Sequence, residues 1–291
     1  MFSVQKNLIG PKIAKGFNSE IFEYGQQDNA KNNDLVKVMP AKNIDKLKQF
    51  QEEFNLGFNN KHPFVLNYKG FDIEEVNEGD IKYKVFIKMK KMKKSLKTYI
   101  QELKSSESNS KNLPLKNVIW MFYSLASALS YLESKDIVHN NITADSVLFD
   151  ENDTIQLGGF AFSMYKPWQK PGKKVYQSYW HPERFLQPSQ DQKIEKENAF
   201  KSDVWCLGKL ITDICLLRDK IQKEMNIGEI MEKVERDLEE VKKIKMYDEK
   251  FIEILRLLLD PDVKNRKSFK EICDILEDAY PDFVRRFLVE K

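Results

Sequence analysis

The chain has 291 residues, 41% of them apolar and 32% charged. That apolar share is enough to bury a sizeable core, which excludes a disordered chain, and the length points to one large or two small domains. Lys and Arg number 48 against 45 Asp and Glu, a net charge of +3, which excludes a strongly basic nucleic-acid binder.

Up to about residue 90 the pattern predicts strands at residues 9–13, 20–24, 35–39, 65–71 and 82–89, where β-branched and aromatic residues run between Gly, Asn and Asp. One helical pattern interrupts them: Ile44, Leu47, Phe50, Phe54 and Phe58 recur at three- and four-residue steps, which predicts one apolar face. From Ser95 onward the period is helical. Ile119, Phe122, Leu125, Leu129 and Leu132 form one stripe, and Ile227, Ile230, Val234, Leu238, Val241 and Ile244 another. Between them, residues 137–157 predict short strands broken by a hairpin-like turn at Asp150-Glu151-Asn152-Asp153. Polar residues 104–112 and 187–198 predict loops.

The most apolar window, residues 118–132, contains Ser124, Ser127 and Ser130 and is too short to span a bilayer, so it predicts a buried helix. Residues 1–6 hold no long apolar region, so no signal peptide is expected. Cys206, Cys215 and Cys273 form no CxxC pair and predict buried thiols of a soluble, cytoplasmic protein, with no zinc site.

The segment from Ile137 to Leu148, with His139-Asn140-Asn141 at its centre, resembles the catalytic loop of eukaryotic protein kinases, H-R-D followed by four residues and N. His139 stands at the His, Asn140 at the Arg, Asn141 at the catalytic Asp and Ser146 at the metal-binding Asn. Ile155-Gln156-Leu157-Gly158-Gly159-Phe160-Ala161 resembles the strand that ends in D-F-G, with Gly159 at the magnesium-binding Asp. Lys37, in Leu35-Val36-Lys37-Val38-Met39, resembles the strand-three Lys, and Glu53 its helical partner, with Glu52 the alternative in register. Residues 13–21 resemble the glycine-rich loop; Gly16 is kept, while Ala14 and Ser19 replace the other glycines. Leu35 occupies a position usually held by Ala, on one face of the adenine slot; Ile21 stands beside it and Leu148 forms the other face. His181-Pro182-Glu183 resembles A-P-E, with Arg266 as the partner of Glu183, and Asp203 matches the Asp of D-x-W-x-x-G.

The resemblance runs from about residue 9 to about residue 287. It implies an α+β, bilobal protein-kinase-like domain: a small β-rich N-lobe with one helix, about 1–92, and a larger helical C-lobe, about 93–291. It also implies what the replacements do. An Asn amide orients a hydroxyl but is not a base near neutral pH. Gly159 supplies no ligand and Ser146 only a neutral hydroxyl, whereas magnesium takes hard oxygen ligands. Phosphoryl transfer rests on positioning and charge neutralisation, so these changes together remove most of its rate enhancement. Leu35 in a slot one ring thick overpacks it at a cost of about 1–3 kcal/mol. The expectation is therefore a pseudokinase that works as a scaffold, an allosteric partner or a component of a protein assembly. No cofactor is expected; ATP would bind weakly and without magnesium. The alternatives are a slow, atypical Ser/Thr kinase that recruits Asp145 or another acid, and a metal-independent nucleotide-sensing module. Two surfaces are candidates for a protein partner: the hinge lysines Lys88, Lys90, Lys91, Lys93, Lys94 and Lys97, and the outer face of residues 218–250.

Overall fold

The computed structural model describes residues 3–16, 18–25, 34–105, 112–166, 196–219 and 226–284. The small lobe is a five-stranded antiparallel sheet in the order β1-β2-β3-β5-β4. Its strands are β1 (Ile9–Lys15), β2 (Glu20–Tyr24), β3 (Asp34–Ala41), β4 (Tyr68–Glu78) and β5 (Ile81–Lys90). Helix α1 (Ile44–Asn59) packs on one face. It starts where the Asn43 side chain accepts the Lys46 N–H at 2.9 Å, an N-cap that satisfies an otherwise unpaired donor. Phe50 and Phe54 are buried as the helical period requires, but Ile44 at the first turn is exposed and leaves the predicted stripe.

Alternation along β3 sends neighbouring side chains to opposite faces. Val36 joins Val4, Tyr24 and Phe86 on the outer side. Leu35, Met39 and Ala41 join the main core under α1. The strand predicted at 65–71 begins only at Tyr68. The preceding backbone pairs across the lobes instead: Leu66 N–H donates to Leu157 O at 2.9 Å, and Leu157 N–H to Phe64 O at 2.8 Å.

In the large lobe, α2 (Leu96–Ser105) and α3 (Leu115–Ser134) lead to β7 (Ile137–Val138), β8 (Val147–Phe149) and β9 (Ile155–Leu157). A short strand β6 (Lys94–Ser95) pairs with β8, and β8 with β9, around the predicted turn at residues 150–153. The strand β10 (Met164–Tyr165) pairs with β7. Helix α3 is buried on nearly every side, as its apolar run predicted, and packs against β9 and the later helices. These are α4 (Lys196–Cys215), α5 (Ile227–Lys242), α6 (Glu249–Leu258) and α7 (Phe269–Ala279). Helix α4 begins inside the segment predicted as a loop to residue 198. Capping boxes open α5 at Asn226 and Glu229 and α7 at Ser268 and Glu271. In α5, Ile230, Val234, Leu238 and Val241 are buried, while Ile227 at the exposed first turn is not. Among the described residues no helix is long and apolar enough to cross a membrane.

Candidate functional site

The cleft between the lobes is built from β1–β3 and α1 above and from the β7–β8 and β9 connections below. His139 follows β7 and is fully buried. Its Nε2–H donates to Gly158 O at 2.9 Å, which leaves Nδ1 as acceptor for the Asn141 N–H at 3.3 Å. Burial lowers the His139 pKa to about 4, against the opposing pull of the Gly158 carbonyl, so the ring is neutral at pH 7. Asp203 of α4 accepts the backbone N–H groups of His139 at 2.7 Å and Asn140 at 3.0 Å. Burial raises the Asp203 carboxyl to about 7 despite these donors. The two bonds hold the loop in an unusual turn, with Asn140 at φ 61° in the left-handed region. The Asn140 amide donates to Phe162 O at 3.2 Å, which ties the loop to the segment after β9.

The positions matched to metal ligands are occupied differently. The Ser146 hydroxyl accepts the Thr143 N–H at 3.0 Å and donates to Thr143 O at 2.9 Å, so it is turned into its own loop. Gly159 sits at φ 79° and ψ 40°, a conformation Gly adopts without strain. A Cβ there would stand 3.0 Å from Ser146 Cβ and 3.3 Å from Asn141 Nδ2. The Asn141 amide donates to Gly159 O at 3.4 Å. This donor set does not fit a magnesium ion: it presents a glycine, an inward-bonded hydroxyl and an amide N–H directed at a carbonyl. Asp145, the one acid in the loop, is exposed and pairs with Lys97 of α2 at 3.1 Å, on the hinge side.

In the small lobe, Lys37 Nζ stands 2.6 Å from Glu53 Oε1. Glu53, not Glu52, is thus the residue that faces Lys37. The Tyr68 hydroxyl donates to the same Glu53 oxygen at 3.1 Å. Cross-strand pairing puts Ile21, Lys37 and Ile87 in one row and Glu23, Leu35 and Met89 in the next, so Leu35 faces the same side as Lys37. Leu35 is buried in the core cluster against which Ile21 and Leu148 pack. The loop at Ala14 and Gly16 turns through a Gly16 N–H to Ser19 O bond of 2.8 Å, while Phe17 lies outside the described residues.

Each hinge lysine is paired with a carboxylate. Lys88 pairs with Asp34 at 3.2 Å, Lys90 with Asp150 at 2.8 Å, Lys91 with Glu23 at 3.0 Å and Lys93 with Asp153 at 2.8 Å. Lys94 pairs with Glu102, and Lys97 with Asp145 as above. Apart from Glu102, eight residues from Lys94, the carboxylates come from distant segments, so the fold brings counter-charges to a local run of Lys. Lys90 and Lys93 both reach the β8–β9 turn and fasten β5 and the hinge to the large lobe.

Arg266 is buried beneath α4. Its Nε donates to Asp260 O at 2.8 Å and its Nη1 to Lys201 O at 3.1 Å, and the guanidinium lies 4.9 Å from the Trp205 ring centre. The expected partner Glu183 lies outside the described residues. A second buried charge group, absent from the sequence expectations, centres on Asp237 of α5. It binds Lys209 at 2.8 Å, Arg218 at 2.5 Å and Lys233 at 3.1 Å. Burial alone would raise the Asp237 carboxyl, but Lys209 and Arg218 outweigh it and hold it below its ordinary value. Sequence reasoning also missed Tyr68 and Gly57, since a tyrosine in a strand and a glycine in a helix carry no local chemical signal. The only hint was a glycine set between Phe54 and Phe58 on the helical stripe.

Known proteins give the same architecture a family. Residues 8–276 match the family described as protein tyrosine and serine/threonine kinase. The chain is 22% identical to serine/threonine-protein kinase Nek7 of Arabidopsis thaliana over 95% of its own length and 45% of that protein. It is 26% identical to insulin-like growth factor 1 receptor of Xenopus laevis over 63% of its length and 13% of the receptor. Against protein-tyrosine kinase 6 of Mus musculus it is 26% identical, over 70% of its length and 41% of that protein. The chain therefore spans less than half of these relatives. With the five-stranded lobe, the helical lobe and the loops between them in the expected order, the chain belongs to the protein kinase family.

Proposed function

We propose that this kinase-family domain is a pseudokinase, a cytoplasmic protein that acts on protein partners as a scaffold, an allosteric partner or a component of an assembly. The observation that carries the reading is the donor set around Gly159. Gly159 itself brings no carboxylate, Ser146 is bonded to Thr143, and Asn141 is an amide where a base would be. Leu35, buried on the cleft side of β3, adds bulk where a ring would insert. The fold-holding contacts of Asp203 and Arg266 are in place beside this altered chemistry.

A slow Ser/Thr kinase is the second reading, and the formed Lys37–Glu53 pair at 2.6 Å is what favours it. A metal-independent nucleotide sensor is the third, and buried Leu35 counts against it. Thermal shift with ATP, with and without magnesium, separates them. The pseudokinase reading expects no shift; a magnesium-dependent shift with Lys37-dependent transfer from labelled ATP overturns it in favour of a kinase. A magnesium-independent shift favours the sensor. Purification with bound partners from the native source identifies what the domain docks to.

A further inference from the structure

Residues 3–8 lie across the outer face of the small-lobe sheet. Val4 is 2% exposed and joins Tyr24, Val36 and Phe86 in a small apolar cluster separate from the main core. Leu8, Ile9 and Val38 pack at its margin. The segment reaches four strands. The Gly25 N–H, just after β2, donates to Leu8 O at 2.9 Å, and the Gln5 N–H donates to the Tyr24 hydroxyl of β2 at 3.1 Å. Val36 of β3 shares the cluster with Val4. The Lys6 ammonium stands 5.4 Å from the ring centre of Phe86 on β5 and 3.2 Å from Glu74 on β4.

This seat is made by residues that come later in the chain. Tyr24, Val36 and Phe86 form an apolar floor, because alternation along each strand turns them to the outer side. Lys88 closes one end, 4.5 Å from the Tyr24 ring centre and paired with Asp34 at 3.2 Å. Glu74 stands at the other end, half-exposed. The segment on this seat is lightly held. Lys6–Leu8 make a single 3-10 turn without a side-chain cap among the described residues. The Lys6–Glu74 pair is open to water and contributes little. Residues 3–7 also lie outside the stretch that matches the kinase family, which begins at residue 8. The seat thus belongs to the kinase fold and its occupant does not.

We propose that the outer face of the small lobe is a docking site for an extended peptide with two aliphatic anchors four residues apart and a Lys between them. Residues 4–8 of this chain fill it in cis, with Val4 and Leu8 as anchors and Lys6 as the cation. A partner segment of the same chemistry reaches the floor only by displacing them. The floor of Tyr24, Val36 and Phe86 takes the anchors, and the Phe86 ring with Glu74 takes the cation. Tethering gives the chain's own segment a high effective concentration, so it gates the exchange. The site lies on the opposite face of the sheet from the cleft and holds for an active or an inactive domain.

The test uses the full chain, its full-length Val4→Asp and Lys6→Glu variants, and a dye-labelled peptide of residues 3–9. An aspartate at residue 4 puts a charge in an apolar seat and opens the segment. Hydrogen exchange at Gly25, whose N–H Leu8 protects, should quicken about tenfold in Val4→Asp and about threefold in Lys6→Glu. Exchange in 44–59 and 249–279 should stay as in the parent chain. By fluorescence anisotropy the peptide should bind Val4→Asp about tenfold more tightly than it binds the parent chain, whose own segment competes. Bound peptide should return Gly25 exchange in Val4→Asp towards the parental rate, and a peptide carrying Val4→Asp should bind neither chain. Equal affinity for variant and parent overturns the site, and so does no binding to Val4→Asp. Parental Gly25 exchange in both variants overturns it too. Exchange quickened through 249–279 in both variants marks a merely structural loss and also overturns it. A parent chain that dimerises with concentration, when Val4→Asp does not, overturns the cis occupancy and assigns the seat to a second copy's segment.

Discussion

Lys37 Nζ and Glu53 Oε1 stand 2.6 Å apart in the cleft where Gly159 and Ser146 present no carboxylate. The Glu53 side chain is only 1% exposed, so its charge depends on Lys37 and on the Tyr68 hydroxyl. The pair therefore has a structural role whatever the chemistry of the cleft.

Lys37→Met should lower stability by on the order of 3 kcal/mol, because a buried carboxylate loses its counter-charge. Urea unfolding of the variant beside the parent chain measures this. A cost below that of an ordinary surface substitution would mean that water reaches Glu53.

Restoring a metal ligand at Gly159 should not restore transfer by itself. Gly159→Asp places a side chain at φ 79° with its Cβ 3.0 Å from Ser146 Cβ, which costs about 1–3 kcal/mol of strain and crowding. Asn141→Asp supplies a base but no metal site. Groups that act as a unit give non-additive effects, so activity is expected only from combined reversals that include Ser146→Asn. Transfer from labelled ATP, measured for each single and combined variant, checks this ranking.

His139 should make stability pH-dependent. Its folded pKa of about 4 lies below the ordinary 6.5, so the unfolded chain binds the extra proton first. Its contribution is present above about pH 6.5 and is lost as pH falls towards 4, on the order of 3 kcal/mol in all. Asp203 works in the opposite direction: its raised pKa of about 7 means stability declines as pH rises from about 4 to 7. The comparison of His139→Gln with the parent chain isolates the first term, and the variant should lose less stability on acidification.

Asp237→Asn should cost about 3–5 kcal/mol, because Lys209 is left charged and buried without its carboxylate. Asp145→Asn should cost within about 1 kcal/mol, since its pair with Lys97 is solvent-exposed. Melting or denaturant curves for the two variants, run side by side, rank buried against exposed charge in the same lobe.

Much of this protein was legible from residue order. The strands before residue 90, the helix through Phe50 and Phe54 and the buried run 118–132 follow from period and apolar content alone. The ends of elements were less legible. Ile44 and Ile227 fit their stripes by spacing but stand at first turns that project beyond the core. Residues 65 and 66 look like strand, yet their backbone pairs with β9 across the lobes, a partner that no local pattern specifies.

Residue identity by itself determined the chemistry: a glycine at residue 159 brings no ligand, and an amide at residue 141 brings no base, wherever the chain puts them. Only the tertiary structure decided what the neighbours of these residues are. It chose Glu53 over Glu52, because the helix turns one of them towards β3. It faced Leu35 into the cleft, because strand register fixes which alternate side chains share a face. It gave each hinge lysine a carboxylate, several of them about sixty residues away in the chain, and it seated the Tyr68 ring on Gly57. Such contacts arise from how strands and helices cross, and neither hydropathy nor spacing along one chain records where two distant segments cross.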